Sequence, residues 1–296
     1  MSKSCLAQIQ VCCYDICNYI LIEMEVVQNM DKTIGFIGGG NMASAIIGGI
    51  LNSGLAAKEQ IIATAKTERT LASLQERFGV SATADNNAAA RQADILFLAV
   101  KPYLFGKIIS EIKDSVRPET LIISIAAGQT IEKIESAFAR NIRLVRAMPN
   151  TPALVGEAMS ALCANQNVTE NDLTDATAIF NSFGKCEIVP ESMMDTVIGV
   201  SGSSPAYVYM FIEAMADAAV ADGMPRAQSY KFAAQSVLGA AKMVLETGTH
   251  PGALKDNVCS PGGTTIEAVA MLEQHGLRSA VIAAQRACVQ KSRDIT

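Results

Sequence analysis

The chain has no tryptophan, two histidines, no run of basic residues and no long uninterrupted apolar stretch. Each absence closes a class of function. With net charge −5 and no clustered Lys or Arg, nothing offers a phosphate backbone a counter-surface, which excludes nucleic acid as a partner. No segment reaches the ~18 apolar residues of a membrane span. The most hydrophobic region, Val197–Ala221, is interrupted by Ser201, Ser203, Ser204, Glu213 and Asp217 and reads as a buried helix. There is no Ser/His/Asp arrangement and no HExxH pattern. His250, between Thr249 and Pro251, and His275, before Gly276, read as structural or exposed. The eight cysteines include Cys5, Cys12, Cys13 and Cys17 near the start, but no second pair stands at zinc spacing from Cys13 and Cys17. Reduced thiols in a cytoplasmic protein, and no metal site, are expected.

What is present is ample material for a core: 296 residues, half of them apolar, with 18% charged. Residues 1–29 lack a secretory pattern and read as an N-terminal extension of weak structure or an upstream start assigned in error, with a complete protein beginning near Met30. From Lys32 the runs TIGFIG, QIIAT, GVSATA, DILFLAV, TLIISIA and NIRLVRA alternate with helical segments, and ALCAN and CEIVP read as further strands. Alternation of this kind predicts a doubly wound, mostly parallel sheet covered on both faces. Thr130 and Thr169 are expected helix N-caps. After Pro190 the texture becomes Ala- and Met-rich helix throughout. The expected organisation is therefore an α/β domain over 30–190 and an all-helical domain over 191–296, the latter burying an apolar face against a copy of itself.

Two glycine-rich turns stand out. In IGFIGGGNMASAI, Gly38, Gly40 and Ala43 occupy the places of G-x-G-x-x-G/A, after a strand and before a helix with the apolar stripe Met42, Ile46, Ile47, Ile50. That context predicts a dinucleotide pyrophosphate at the helix N-terminus. The second strand ends ATAKTER, with no acid for a ribose 2′-hydroxyl. Thr64, Lys66, Thr67 and Arg69 instead suit a 2′-phosphate, which favours NADP. The fourth strand ends AVKP, so Val100 and Lys101 should border the cofactor, with Pro102 opening the next helix. SIAAG and RAMPNTPA end the next two strands with small residues that leave room for a nicotinamide ring. The second turn, SPGGTT at residues 260–265, follows no strand yet also opens a helix.

Together IGFIGGGNMASAI, AVKP, SIAAG, RAMPNTPA, VSGSSPAYVYMFIEAMADAA and HPGALKDNVCSPGGTTIEAV resemble the Δ1-pyrroline-5-carboxylate reductase family, from about Met30 to the C-terminus. The last two stretches are the specific ones. The resemblance implies a Rossmann domain followed by a helical dimerisation domain, NAD(P)H as donor with the choice between NADPH and NADH left open, and reduction of 1-pyrroline-5-carboxylate to L-proline. It also implies self-association as a dimer, and commonly a decamer. By position it assigns Ile37, Gly38, Gly39, Gly40, Asn41 and Met42 to the pyrophosphate, and Thr64 and Lys66 to the adenosine ribose and its phosphate. Asn86, Ala99, Val100, Lys101 and Pro102 fall on the ribose side, and Ala126, Ala127 and Gly128 near the nicotinamide end. It also matches Glu191, Asn257, Val258, Thr264 and Thr265 to positions around the substrate.

Hydride addition to a protonated cyclic imine asks mainly for orientation of two rings, which accords with the scarcity of acids and bases. SPGGTT then reads as a carboxylate clamp using the N–H groups of Gly263, Thr264 and Thr265, with the Thr265 hydroxyl on the substrate nitrogen. Two rival readings are a β-hydroxyacid dehydrogenase-like enzyme, which would need a well-placed catalytic lysine, whereas Lys242 on its Ala-rich helix reads as a solvated residue, and a non-catalytic dinucleotide-binding protein.

Overall fold

The computed structural model describes residues 30–295. The expectations for residues 1–29, including Cys5, Cys12, Cys13 and Cys17, lie outside them. The described residues build one eight-stranded sheet: β1 (Ile34–Ile37), β2 (Ile61–Thr64), β3 (Ser81–Thr83), β4 (Ile95–Leu98), β5 (Leu121–Ser124), β6 (Arg143–Met148), β7 (Ala158–Ala164) and β8 (Gly184–Ile188). Strands β1, β2, β4 and β5 are buried at every position, as required of strands covered on both faces. Their order is β3-β2-β1-β4-β5-β6-β7-β8, and β1 pairs in parallel with both β2 and β4. Strand β7 is antiparallel to β6, and β8 runs parallel to β7.

Helices α1 (Asn41–Asn52), α2 (Glu68–Phe78), α3 (Asn86–Gln92), α4 (Phe105–Ile112), α5 (Ile131–Phe138) and α6 (Glu170–Asn181) are interleaved with the strands. Adjacent strand residues face opposite layers, so Phe97 joins one core with Phe36, Ile46 and Phe180, while Leu96 joins the other with Ile109, Ile122 and Leu144. Phe36 and Phe97 stack with centroids 4.7 Å apart, and Phe180 extends the cluster toward Phe183. Thr130 and Thr169 cap α5 and α6 as expected, and Thr67 and Asp85 do the same for α2 and α3.

After β8 the described residues are helical: α7 (Met194–Val197), α8 (Ser204–Ala221), α9 (Arg226–Thr247), α10 (Pro251–Val258), α11 (Thr264–Gln274) and α12 (Leu277–Ile295). The expectation of a buried helix over Val197–Ala221 needs correction. A π-turn at Ile198–Gly202 interrupts it, and α8 leaves Tyr209, Met210 and Phe211 exposed, with Ala216 its buried residue. The apolar residues of α8 run around more of its circumference than α9 can cover. At the π-turn the backbone comes close to α12: a Cβ on Gly199 would lie 2.8 Å from Val289.

Candidate active site

Side chains cap α2, α3, α5 and α6. Helices α1 and α11 instead each open at an extended N-cap residue with no side-chain cap, and in both that residue is glycine: Gly40 and Gly263. Their first-turn N–H groups are therefore left for something other than a capping side chain. These are the two turns singled out in the sequence.

The first lies at the C-terminal ends of β1 and β4, where the strand order reverses direction, the place where open α/β sheets bind ligands. Gly38 has φ +103°, and a Cβ there would sit 2.8 Å from the Ala99 carbonyl oxygen. Gly40 meets nothing within 4 Å: its missing side chain faces open space, as a pyrophosphate cradle requires. Ala43 is buried, along with Ile46, Ile47 and Ile50, so helix and sheet pack closely behind the turn. The Ala99 N–H donates to the Ile37 carbonyl at 2.9 Å, holding Ala99 and Val100 against the glycine turn. Lys101 is the exposed N-cap of the short turn that Pro102 opens. Ala126 is buried, Ala127 exposed, and Gly128 has φ +72° beneath Ile295 of α12. A dinucleotide thus fits the donors and the space that this chain presents.

Two assigned residues are used otherwise than expected. Thr64 is 2% exposed, its hydroxyl accepts from the Gly38 N–H at 3.1 Å and donates to Asn86 Oδ1 at 2.7 Å. Its hydroxyl is committed inside the protein, while Lys66, two residues on, stands exposed at the tip. Glu191 accepts at Oε1 from Arg146 and from the Ile131 N–H, both at 2.8 Å, at the junction of the sheet and the helical half. Burial pushes the neighbouring Cys163 thiol up, and the Glu191 carboxylate adds to this.

The second turn gathers the remaining residues. Asn257 and Val258 end α10, Cys259 follows, and Ser260 accepts from the Gly263 N–H at 3.0 Å across Pro261-Gly262. Gly262, with φ +65°, takes the third place of a turn whose second place is proline. The Gly263 N–H is thus occupied within the turn, which corrects its expected share in binding an anion. Thr264 and Thr265 open α11.

The histidines and Lys242 behave as read. His250 Nδ1 accepts from the Gly252 N–H and caps α10, and His275 is the C-cap of α11. Lys242 pairs with Glu246 one turn on, with both side chains 65% exposed, so it is not a buried catalytic amine. No group of three or more metal-ligating side chains occurs among the described residues. Sequence reading missed Arg146 and Asn150. Asn150 joins the end of the sheet to the π-turn, donating to the Ser201 carbonyl and accepting from the Met159 N–H, both at 3.0 Å. The signal for Arg146 was a charge inside a strand that should be buried.

A reversing parallel sheet with a bare glycine N-terminus, followed by a helical half carrying a second such turn, defines a nicotinamide dinucleotide-dependent oxidoreductase. Residues 33–128 match the family described as NADP oxidoreductase, coenzyme F420-dependent, and residues 191–295 match pyrroline-5-carboxylate reductase dimerisation. The pyrroline-5-carboxylate reductase of Escherichia coli strain K12 is 53% identical over 90% of this chain and 99% of its own length. That of Methanosarcina acetivorans is 45% identical over 90% of this chain and 98% of its own length. Among solved structures, the Coxiella burnetii pyrroline-5-carboxylate reductase superimposes with a TM-score of 0.85 at 36% identity, covering 90% of this chain and 99% of that one. The Plasmodium falciparum enzyme, with NADP bound, gives 0.80 at 35% identity, covering 90% and 98%. The chain belongs to the pyrroline-5-carboxylate reductase family, and its reaction is the reduction of 1-pyrroline-5-carboxylate to L-proline.

Proposed function

We propose that the chain carries out this reduction with NADPH in preference to NADH, and that the turn before α11 holds the substrate carboxylate. The observation that carries the reading is the pair of glycine N-caps without side-chain caps: one helix start serves the dinucleotide and leaves the second for another anion. When bound, the nicotinamide supplies the hydride that adds to the imine carbon.

The residues of this chain bind and orient. The N–H groups of Asn41 and Met42 at the start of α1 hold the pyrophosphate, with Ile37, Gly38, Gly39 and Gly40 shaping the turn. Lys66 meets the 2′-phosphate, Asn86 and Ala99–Pro102 line the ribose side, and Ala126–Gly128 border the nicotinamide. No acid stands at the tip of β2, where it would repel a 2′-phosphate and favour NADH. The Thr264 and Thr265 N–H groups bind the carboxylate, while Asn257 and Val258 border the ring. The Thr265 hydroxyl hydrogen-bonds the substrate nitrogen. Glu191 acts from the junction, by holding Arg146 and the first N–H of α5, because a bare carboxylate beside an anionic substrate would be repulsive.

The two functional units divide at Pro190–Glu191, and the helical unit joins two chains, with decamers as the higher assembly. No described helix is long and apolar enough to cross a membrane, and Cys163, Cys186, Cys259 and Cys288 are free thiols; a reducing cytoplasm suits them. The test is NADPH oxidation with pyrroline-5-carboxylate, repeated with NADH and with a 3-hydroxyacid in reverse. A lower KM for NADH than for NADPH overturns the cofactor preference. Thr265→Ala lowers kcat/KM about 10–100-fold if it loses one hydrogen bond strengthened in the transition state. Unchanged turnover in that variant removes Thr265 from the mechanism.

A further inference from the structure

A chain of hydrogen bonds runs from the surface of α4 to the glycine turn. Glu111 Oε1 accepts from Asn86 Nδ2 at 3.1 Å, Asn86 Oδ1 accepts from the Thr64 hydroxyl at 2.7 Å, and the Thr64 oxygen accepts from the Gly38 N–H at 3.1 Å. An ionised carboxylate can only accept. Glu111 therefore requires Asn86 to turn its amide nitrogen outward and its carbonyl oxygen inward. The inward oxygen then requires the Thr64 hydroxyl to donate to it, which leaves a Thr64 lone pair for Gly38. Were Asn86 reversed, the hydroxyl proton would lose its acceptor at a site that is 2% exposed.

We propose that Glu111 is a positioning residue for cofactor binding, setting through Asn86 and Thr64 the orientation of the Gly38 peptide in the dinucleotide turn. The proposal rests on the reading that this turn holds the dinucleotide pyrophosphate. It takes the Gly38 N–H out of ligand binding and turns it inward, so that the turn is held in shape before the ligand arrives. That lowers the ordering cost of binding. The inner link is part-buried and the outer one exposed, so the effect falls off along the relay.

The test titrates the full chain with NADPH by fluorescence and measures KM and kcat in parallel. Thr64→Val keeps the shape and removes the acceptor, and it raises Kd and KM for NADPH about tenfold with a smaller fall in kcat. Thr64→Ser, which keeps the hydroxyl, stays within about twofold of the wild type. Glu111→Ala raises Kd about threefold alone, Glu111→Asp restores part of it, and Glu111→Ala adds nothing in the Thr64→Val background. Independent, multiplying effects overturn the relay, as does an unshifted NADPH Kd in Glu111→Ala. That last outcome is readable even if Thr64→Val fails to fold, because Glu111 is exposed. A wild-type chain that binds no NADPH overturns the reading of the site and this proposal with it. Wild-type binding with unshifted variants overturns the relay alone.

Discussion

The guanidinium of Arg146 and the carboxylate of Glu191 meet at 2.8 Å where β6 faces the start of the helical half. The Arg146 side chain is 6% exposed and that of Glu191 34%, so the acid reaches down from the surface to a charge the sheet has buried. The same oxygen accepts the Ile131 N–H, one of the donors that the first turn of α5 leaves unpaired. One carboxylate thus satisfies a buried guanidinium and an N–H at the start of a helix.

Glu191→Ala would leave that guanidinium buried without its partner. Loss of one member of a buried pair costs 3–5 kcal/mol, and partial exposure of Glu191 reduces this to about 2–3 kcal/mol. Glu191→Gln keeps an acceptor for Ile131 and Arg146 and should lose roughly half as much. Denaturant titration of both variants checks this, and equal stability in wild type and Glu191→Ala would contradict it.

Gly262 takes φ +65° in the turn that precedes α11. An alanine meets no steric obstacle there, since nothing lies within 4 Å of its Cβ, but it adopts the left-handed region at about 1–2 kcal/mol. Gly262→Ala should therefore loosen the turn. The KM for pyrroline-5-carboxylate rises several-fold while the KM for NADPH stays near its wild-type value. A change confined to the NADPH constant would place the turn on the cofactor instead of the substrate.

The sheet was legible because its signals are local: buried apolar runs of strand length, a threonine before α5 and another before α6, a glycine pattern at a strand end. What escaped reading depends on partners far along the chain. Thr64 has the composition of a ligand contact, and only the fold shows its hydroxyl spent on Gly38 and Asn86, 26 and 22 residues away. Arg146 meets an acid 45 residues on. The Gly263 N–H reads as free in sequence, because the closing bond to Ser260 appears only when Gly262 is seen to turn with positive φ. The burial of α8 was misread for a different reason: hydropathy reports that a face must be covered and not by which chain.

That face yields a prediction on assembly. Tyr207, Val208, Phe211, Val237 and Val281 line an apolar groove among α8, α9 and α12, and Val281 is 48% exposed in the single chain. Residues 191–295 match a dimerisation family, and a carboxylate placed in such an interface is buried without a counter-charge. Val281→Asp should weaken the dimer about 100-fold or more, with monomer appearing in light scattering at micromolar concentration. A variant that stays dimeric on dilution would show that the groove is not the joining surface.

The proposed preference for NADPH is tested at Lys66. It stands exposed just past β2, beside Thr67, whose hydroxyl is taken up in capping α2. A charge-assisted bond from an exposed ammonium to a 2′-phosphate contributes about 1–1.5 kcal/mol, while the 2′-hydroxyl of NADH offers it no negative charge. Lys66→Ala should raise the KM for NADPH about 5–10-fold and leave that for NADH within about twofold. Added salt should reproduce part of the effect in the wild type, since an exposed pair is screened. If both cofactors lose affinity equally, Lys66 contacts the part they share, and the proposed contact to the 2′-phosphate is overturned.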